Sequence, residues 1–310
     1  MKAVQIREYG GSEVVEVKDI AEPALKEGQI LVKVHAASIN PFDTKIRSGI
    51  YKDSIPLNLP YTPGGDFSGV ILSLGEGVSE FKVGDEVFGS AQVASGGSGA
   101  FAQISAANVK NSALKPKSID HIQAASLPLV GSSAVQALEE HIKLQKGQKI
   151  LIHGGAGGIG SIAIQLAKHI GAVVATTIST DDKEFVKSLG ADQVIDYKSE
   201  KFEDILKDFD AVFDTVGGES SDKSFKVLKK GGVLVSMVGK PNEDLAKEFE
   251  VTAIGQGTHT NREYLTRLSE LVDKGVIKPQ VDKVFPLDQT KEAFDYLERG
   301  SPRGKVVLEV

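Results

Sequence analysis

Lys149-Ile-Leu-Ile-His-Gly-Gly-Ala-Gly-Gly-Ile-Gly-Ser-Ile-Ala-Ile-Gln-Leu-Ala-Lys-His-Ile-Gly171 decides the reading of the chain. Ile150–Ile152 is a short apolar run bounded by turn residues, the pattern of a buried strand. Five glycines crowd the next eight positions: Gly154, Gly155, Gly157, Gly158 and Gly160. Ile159, Ile162, Ala163, Leu166, Ala167 and Ile170 then recur at the spacing of one helix face, and Gly171 supplies a stop. In the order strand, glycine turn, helix, the pattern Gly155-x-Gly157-x-x-Gly160 points to a dinucleotide site. Glycine allows the tight turn and the close approach of backbone to ligand. The helix start offers free N–H groups and the positive end of a dipole to a pyrophosphate. The competing reading is a strand–helix corner with no ligand.

Working outward, the alternation is regular. Strands are predicted at 149–153, 172–178, 193–196, 210–214, 232–238 and 249–254, with helices at 159–170, 181–189, 201–208, 219–229 and 241–248. That alternation predicts a parallel sheet covered on both faces, a doubly wound nucleotide-binding domain. Upstream, residues 1–122 carry short strands punctuated by Gly and Pro, such as Ile30–Val34 and Gly69–Leu74, and read as a small barrel or sandwich. Gln92–Ala100 is Gly/Ser-rich and reads as a mobile loop. Ser118–Glu140 turns helical, and the domain switch is placed there. Downstream come a helix at 262–274, a strand at Val284-Phe285, a helix at 288–299 and a strand at 305–310. That ending returns to the first domain and leaves a cleft between the two. The predicted fold class is α/β, with domains 1–122, completed by 262–310, and 123–261.

Bulk properties narrow the function. The chain has 310 residues, 41% of them hydrophobic, and no cysteine. Disulfides, thiolate catalysis and cysteine-based zinc sites are therefore excluded. A net charge of −6 argues against a nucleic-acid partner. No apolar run approaches the roughly 20 residues of a membrane span. Met1–Arg7 enters a strand-like pattern without a signal-peptide core, so a cytoplasmic setting is expected.

The second strand indicates which nucleotide. An NAD site carries an acidic residue at that strand's end to hold the ribose 2′-OH. Here Ile178 is followed by Ser179-Thr180-Asp181-Asp182-Lys183. The aspartates fall one step late, where the first turn of the next helix is expected with Ser179 or Thr180 as N-cap. Ser179 and Lys183 can instead grip a 2′-phosphate, which favours NADP.

These residues sit among others that resemble the zinc-independent medium-chain dehydrogenase/reductases of the quinone oxidoreductase and alkenal/enone reductase type. The resemblance runs through Ser38–Gly49, Pro63–Val70, Val83–Val87, Gly154–Gly160, Leu189–Asp192, Phe213–Gly218 and Arg303–Val307. It implies a GroES-like first domain, a Rossmann second domain and a nicotinamide in the cleft. By position it implies that Gly157, Gly158, Ile159 and Gly160 underlie the pyrophosphate, that Ser179, Lys183 and Tyr197 hold the 2′-phosphate, and that Thr215, Val216, Val238 and Gly239 line the ribose and nicotinamide. A homodimer is usual for the family, formed through the strand near 249–254.

Zinc-dependent relatives place a cysteine where Asn40 stands and a histidine where Gly65 stands. The six histidines, His35, His121, His141, His153, His169 and His259, show no ligand spacing. No metal is expected. Hydride delivered to an enone or a quinone puts negative charge on oxygen, which needs donors aimed at it. The candidates are Lys45, which resembles the substrate-facing lysine of the alkenal reductases, Asn40 and Tyr51. A second possibility for Lys45 is a pair with Asp43 that only positions the loop. Phe42 is expected to wall an apolar substrate slot or to sit in the core, and Gln92–Ala100 to act as a lid or a surface loop. The leading expectation is NADPH-dependent reduction of quinones or α,β-unsaturated carbonyls. The rival is a non-catalytic NADPH-binding sensor or scaffold. A zinc alcohol dehydrogenase lacks its ligands.

Overall fold

The computed structural model describes residues 1–300 and 302–310. The chain divides into two compact units. One comprises Met1–Ser132, Thr260–Gly275 and Pro279–Val310; the other comprises Ser133–His259 and Val276–Lys278. The 123–132 segment, assigned from sequence to the nucleotide-binding half, belongs to the first unit. Its Leu129 N–H donates to the buried Asp66 carboxylate at 3.2 Å. Of the C-terminal segment, Thr260–Gly275 and Pro279–Val310 lie in the first unit and Val276–Lys278 in the second.

The first unit is β-rich. Its main sheet has the strand order Val281–Pro286, Lys305–Glu309, Gln29–Ile39, Asp66–Leu74, Glu86–Ser90, Ser112–Leu114, with Ile104–Asn108 also pairing with Gln29–Ile39. The long Gln29–Ile39 strand is the spine. It pairs antiparallel with Asp66–Leu74, so that Ser38 faces Asp66, and antiparallel with Lys305–Glu309, so that Ile39 faces Val306. This register brings positions 38, 66 and 305 together. The core behind it includes Ile30, Val32, Phe67, Phe101 and Phe294, all fully buried. A short helix, Pro41–Arg47, leaves the end of the spine. The helical stretch foreseen at 118–140 is broken into His121–Ala125, Pro128–Val135 and a π-helical turn, Gln136–His141. Pro128 cannot continue the first piece, because it has no N–H to donate.

The second unit is a six-stranded parallel sheet. Its strand order is Gln193–Asp196, Val173–Ile178, Lys149–His153, Phe209–Asp214, Leu228–Ser236, Thr252–Gly255. Ile150, Leu151 and Ile152 are fully buried, because helices cover both faces of such a sheet. The helix Gly158–Ile170 buries Ile162, Ala163, Leu166 and Ala167 and ends at Gly171 in the left-handed conformation, φ 93°. The helices after the later strands are shorter than their apolar spacing indicates: Lys183–Ser188, Phe202–Ile205, Glu219–Ser224 and Glu243–Glu248. Strand order reverses beside Lys149–His153, and at such a point a doubly wound sheet binds ligands at its carboxyl ends. Among the described residues no helix is long and apolar enough to cross a membrane.

Candidate functional site

The carboxyl end of Lys149–His153 runs into the glycine turn, where the three motif glycines have different physical reasons. A Cβ on Gly155 would lie 2.1 Å from Thr176 Oγ1, and one on Gly160 would lie 2.2 Å from the Gly154 carbonyl oxygen. Packing alone forbids side chains there. At Gly157 a Cβ would meet nothing closer than 3.4 Å, and its φ of −73° suits any residue. The fold does not demand glycine at 157, whereas a ligand lying against the backbone does. Gly157 is the N-cap of the 13-residue helix and offers no capping side chain, so the N–H groups of Gly158, Ile159 and Gly160 begin the helix uncapped.

A buried polar frame sets the neighbouring loops. Asp214 ends its strand fully buried, and its Oδ1 accepts the N–H groups of Val216 and Gly217, each at 2.9 Å. Its Oδ2 takes a long bond from the Ser236 hydroxyl at 3.4 Å, and Ser236 Oγ accepts Val238 N–H at 3.2 Å. Thr215 donates its hydroxyl to the His153 carbonyl at 2.7 Å. One carboxylate therefore shapes both the Thr215–Gly217 and Ser236–Val238 turns. Val216 and Val238 are left half exposed at the carboxyl ends of adjacent strands, and beside them Gly239 has open space at its Cβ position and φ 94°. His153 lies underneath. Its ring nitrogens are 2.9 Å from the Thr177 and Ser224 hydroxyls, and burial pushes its pKa down to about 4 against the opposing pull of Asp214. The imidazole is thus neutral and structural. The sequence reading did not single out Asp214 or Ser236. The available signal was a lone carboxylate closing the apolar strand Phe209–Asp214.

At the second strand's end, Tyr197 N–H donates to the Ile178 carbonyl at 3.2 Å, which brings Tyr197 beside Ser179. Tyr197 and Lys183 are exposed. The expected helix start differs. Thr180–Asp182 forms a 3₁₀ turn and the α-helix begins only at Lys183. Ser179 makes no side-chain bond to the backbone; its hydroxyl donates to Asp182 Oδ2 at 2.9 Å, and Thr180 donates to Asp196 Oδ2 at 2.5 Å. The Thr180 bond, followed by Lys198 N–H, holds the Asp196 carboxyl below the usual range. Ser179 must therefore turn its hydroxyl away from Asp182 before it can serve a phosphate.

In the first unit a second frame lies at the end of the spine strand. Asn40, Asp43, Asp66 and Lys305 are each at most 5% exposed. Asn40 Nδ2 donates to Asp66 Oδ2 at 2.9 Å, and Ser38 donates to the same oxygen at 3.2 Å. Lys305 donates to the Ile39 carbonyl at 2.7 Å and to Asn40 Oδ1, and lies 3.9 Å from Asp66. Asp43 Oδ2 accepts the Asn40 backbone N–H at 2.8 Å. Burial raises the Asp43 carboxyl to about 7, raises Asp66 and lowers the Lys305 ammonium, while the opposite charges resist these shifts. Both ends of the Asn40 amide are thus engaged inside the protein. As a candidate, Asn40 is a positioning group.

Lys45 is half-buried on the Pro41–Arg47 helix, and among the described residues its ammonium has no carboxylate partner. The alternative of a pair with Asp43 fails, because residues two apart on a helix do not face each other and Asp43 turns to Asn40. Tyr51 packs against Phe42 with ring centroids 5.7 Å apart. Phe42 lines a small pocket with Ile46, Ile55, Leu57 and Val93. The 92–100 loop does border this pocket, yet it is not a loose lid. Gln29 Nε2 donates to the Gly96 carbonyl at 2.7 Å, Ser98 and Ala106 exchange backbone and hydroxyl bonds, and Ala100 N–H donates to the Gly64 carbonyl. Gly and Ser here serve close packing and local hydrogen bonds.

The zinc reading finds no support in the donor set. Where zinc relatives carry sulfur and imidazole, this chain has an amide and a glycine, and the positive charge beside Asp66 is the Lys305 ammonium. Among the described residues no group of three or more His, Asp or Glu is placed to hold a metal. His35 and His121 stack at 4.5 Å, with His121 Nδ1 2.8 Å from the Ser68 hydroxyl, as packing groups.

Two family models match the chain: the alcohol dehydrogenase GroES-like domain over residues 26–117 and the zinc-binding dehydrogenase over residues 189–308. An NADPH-dependent alkenal/one oxidoreductase of Arabidopsis thaliana is 40% identical over 99% of this chain and 79% of its own length. The quinone oxidoreductase of Coxiella burnetii superposes with a TM-score of 0.91 at 36% identity, over 100% of this chain and 99% of that one. Escherichia coli quinone oxidoreductase, solved with NADPH, gives a TM-score of 0.89 at 28% identity over 100% of both chains. The frames at the sheet ends and this likeness along the whole length lead to one conclusion: the chain belongs to the medium-chain dehydrogenase/reductase family, among its quinone oxidoreductases and alkenal/enone reductases.

Proposed function

We propose that this protein is an NADPH-dependent oxidoreductase that reduces quinones or α,β-unsaturated carbonyl compounds by hydride transfer without a metal. The observation that carries the reading is Gly157, a helix N-cap with room for a side chain and none present. When bound, the nicotinamide supplies a hydride. The chain supplies the rest. Gly155 and Gly160 close the turn. Gly157, Gly158 and Ile159 present backbone to the pyrophosphate. Ser179, Lys183 and Tyr197 hold the 2′-phosphate. Thr215, Val216, Val238 and Gly239, set by Asp214, flank the ribose and the ring. In the first unit Lys45 and Tyr51 are the donors for charge growing on the substrate oxygen, and Asn40 positions the strand end through Asp66 and Lys305.

A homodimer through the edge strand Thr252–Gly255 and a cytoplasmic setting belong to the same reading. The function is tested by following NADPH oxidation with 1,4-benzoquinone, 9,10-phenanthrenequinone, acrolein and longer 2-alkenals. Turnover of at least one class, with NADPH preferred over NADH, is the expected result. Tight NADPH binding with no turnover on any of them would favour the sensor or scaffold reading instead.

A further inference from the structure

At the carboxyl end of the Val173–Ile178 strand, two acceptors compete for one proton. The Ser179 hydroxyl donates to Asp182 Oδ2 at 2.9 Å. A hydroxyl has a single proton to give, and a phosphate oxygen in the same corner would need it. Asp182 is 8% exposed, so its carboxylate is held beside Ser179 and not out in solvent. It makes no capping bond to the Lys183–Ser188 helix that would otherwise account for it. The surrounding charge also works against a phosphate. Thr180 and Lys198 N–H bond the Asp196 carboxylate on the neighbouring strand, and Glu200 accepts Asp196 N–H at 3.1 Å. The cations Lys183 and Lys198 thus share the corner with Asp181, Asp182, Asp196 and Glu200. A ribose 2′-hydroxyl makes the opposite demand. It can donate to Ser179 Oγ, which has lone pairs to spare, while the bond to Asp182 stays closed.

We propose that Asp182 is a specificity-determining residue that restrains the preference for NADPH over NADH, by keeping the Ser179 proton from a 2′-phosphate. The assignment rests on the reductase reading above and deepens it: Lys183 and Tyr197 carry the phosphate, while Ser179 contributes little as long as Asp182 holds it. Asp182→Asn keeps the size of the side chain and removes the charge. Its amide can donate to Ser179 Oγ, which frees the hydroxyl proton for the phosphate.

The test is fluorescence titration of NADPH and NADH against the native chain, Asp182→Asn, Ser179→Ala and the double variant. Asp182→Asn is expected to bind NADPH about tenfold more tightly and NADH no more tightly than the native chain. Both nucleotides are measured on the same protein, so their ratio is independent of any change in stability. Ser179→Ala is expected to weaken NADPH binding by no more than about twofold alone, but about tenfold in the Asp182→Asn background. An unchanged ratio in Asp182→Asn overturns the assignment and leaves the reductase reading standing. If Asp182→Asn does not fold, Ser179→Ala alone decides: a tenfold loss there means that the hydroxyl already serves the phosphate, which overturns the assignment, and a loss within twofold upholds it. The predicted shift in ratio without turnover of any quinone or enone upholds the assignment and sinks the reductase reading. No saturable binding of either nucleotide by the native chain sinks both.

Discussion

The glycine turn at 154–160 and the buried cluster of Asn40, Asp43, Asp66 and Lys305 solve opposite problems. At Gly157 the turn omits a side chain for which there is room, at a helix start without a side-chain cap. The cluster brings four polar side chains inside and directs them at one another: the Asn40 amide, for instance, donates to Asp66 and accepts from Lys305. On the proposed function the first region serves a ligand, whereas the second holds a strand end still. What they teach together is that a buried charge is not by itself a catalytic group, whereas an omitted side chain at a helix start can be a binding site.

The largest effect is expected in the cluster. Lys305→Met leaves Asp66 and Asp43 buried without their cation, and breaking a buried pair in this way costs about 3–5 kcal/mol. Denaturant unfolding at neutral pH measures it. A loss below about 1 kcal/mol would mean that the cluster is solvated and not a sealed frame.

Asp43 adds a pH signature. Burial pushes its carboxyl up to about 7, well above the ordinary aspartate value of 3.8, so the folded protein keeps a proton that the unfolded chain releases. Stability on this account falls as pH rises from about 4 to about 7, by up to about 4 kcal/mol. Asp43→Asn has no proton to lose and keeps an acceptor for the Asn40 N–H. The variant is expected to match the native protein near pH 4 and to exceed its stability at pH 8, as measured by urea unfolding at both values. Parallel pH profiles for the two proteins would contradict this.

A smaller effect is expected at the second strand's end. Lys183→Ala should weaken NADPH binding about tenfold, close to 1.4 kcal/mol, and leave NADH binding nearly unchanged. Equal losses for both nucleotides would take Lys183 away from the 2′-phosphate. The Ser179–Asp182 bond makes this position the more demanding test of nucleotide choice.

Much of the second unit was legible because its signals are local. The apolar run Ile150–Ile152, the glycines and the helix stripe are contiguous, and they predict a strand, turn and helix that the structure places at Lys149–His153 and Gly158–Ile170. The cluster in the first unit was not legible as a cluster. Asn40, Asp66 and Lys305 are distant in sequence, and only antiparallel pairing to the same spine strand brings them together. Asn40 could be flagged as a polar residue near a motif, but its two engaged amide ends could not be foreseen. The 92–100 loop misled for a related reason. Gly and Ser signal an absence of regular structure, not an absence of hydrogen bonds, and Gln29 and Ala106 reach it from other strands. Asp214 was hidden in plain view, because one carboxylate at the end of an apolar strand looks like ordinary punctuation until Val216, Gly217 and Ser236 converge on it.

The most direct measurement is NADPH titration, by fluorescence and thermal protection, of the native protein, Gly157→Ala and Gly160→Ala. At Gly160 the new Cβ meets the Gly154 carbonyl at 2.2 Å, so the variant should lose about 1–3 kcal/mol of stability whether or not nucleotide is present. At Gly157 there is room, so the variant should fold and melt like the native protein yet bind NADPH at least about tenfold more weakly. Undiminished NADPH affinity in Gly157→Ala, or no saturable binding by the native protein at millimolar NADPH, would contradict a coenzyme resting on the backbone of this turn.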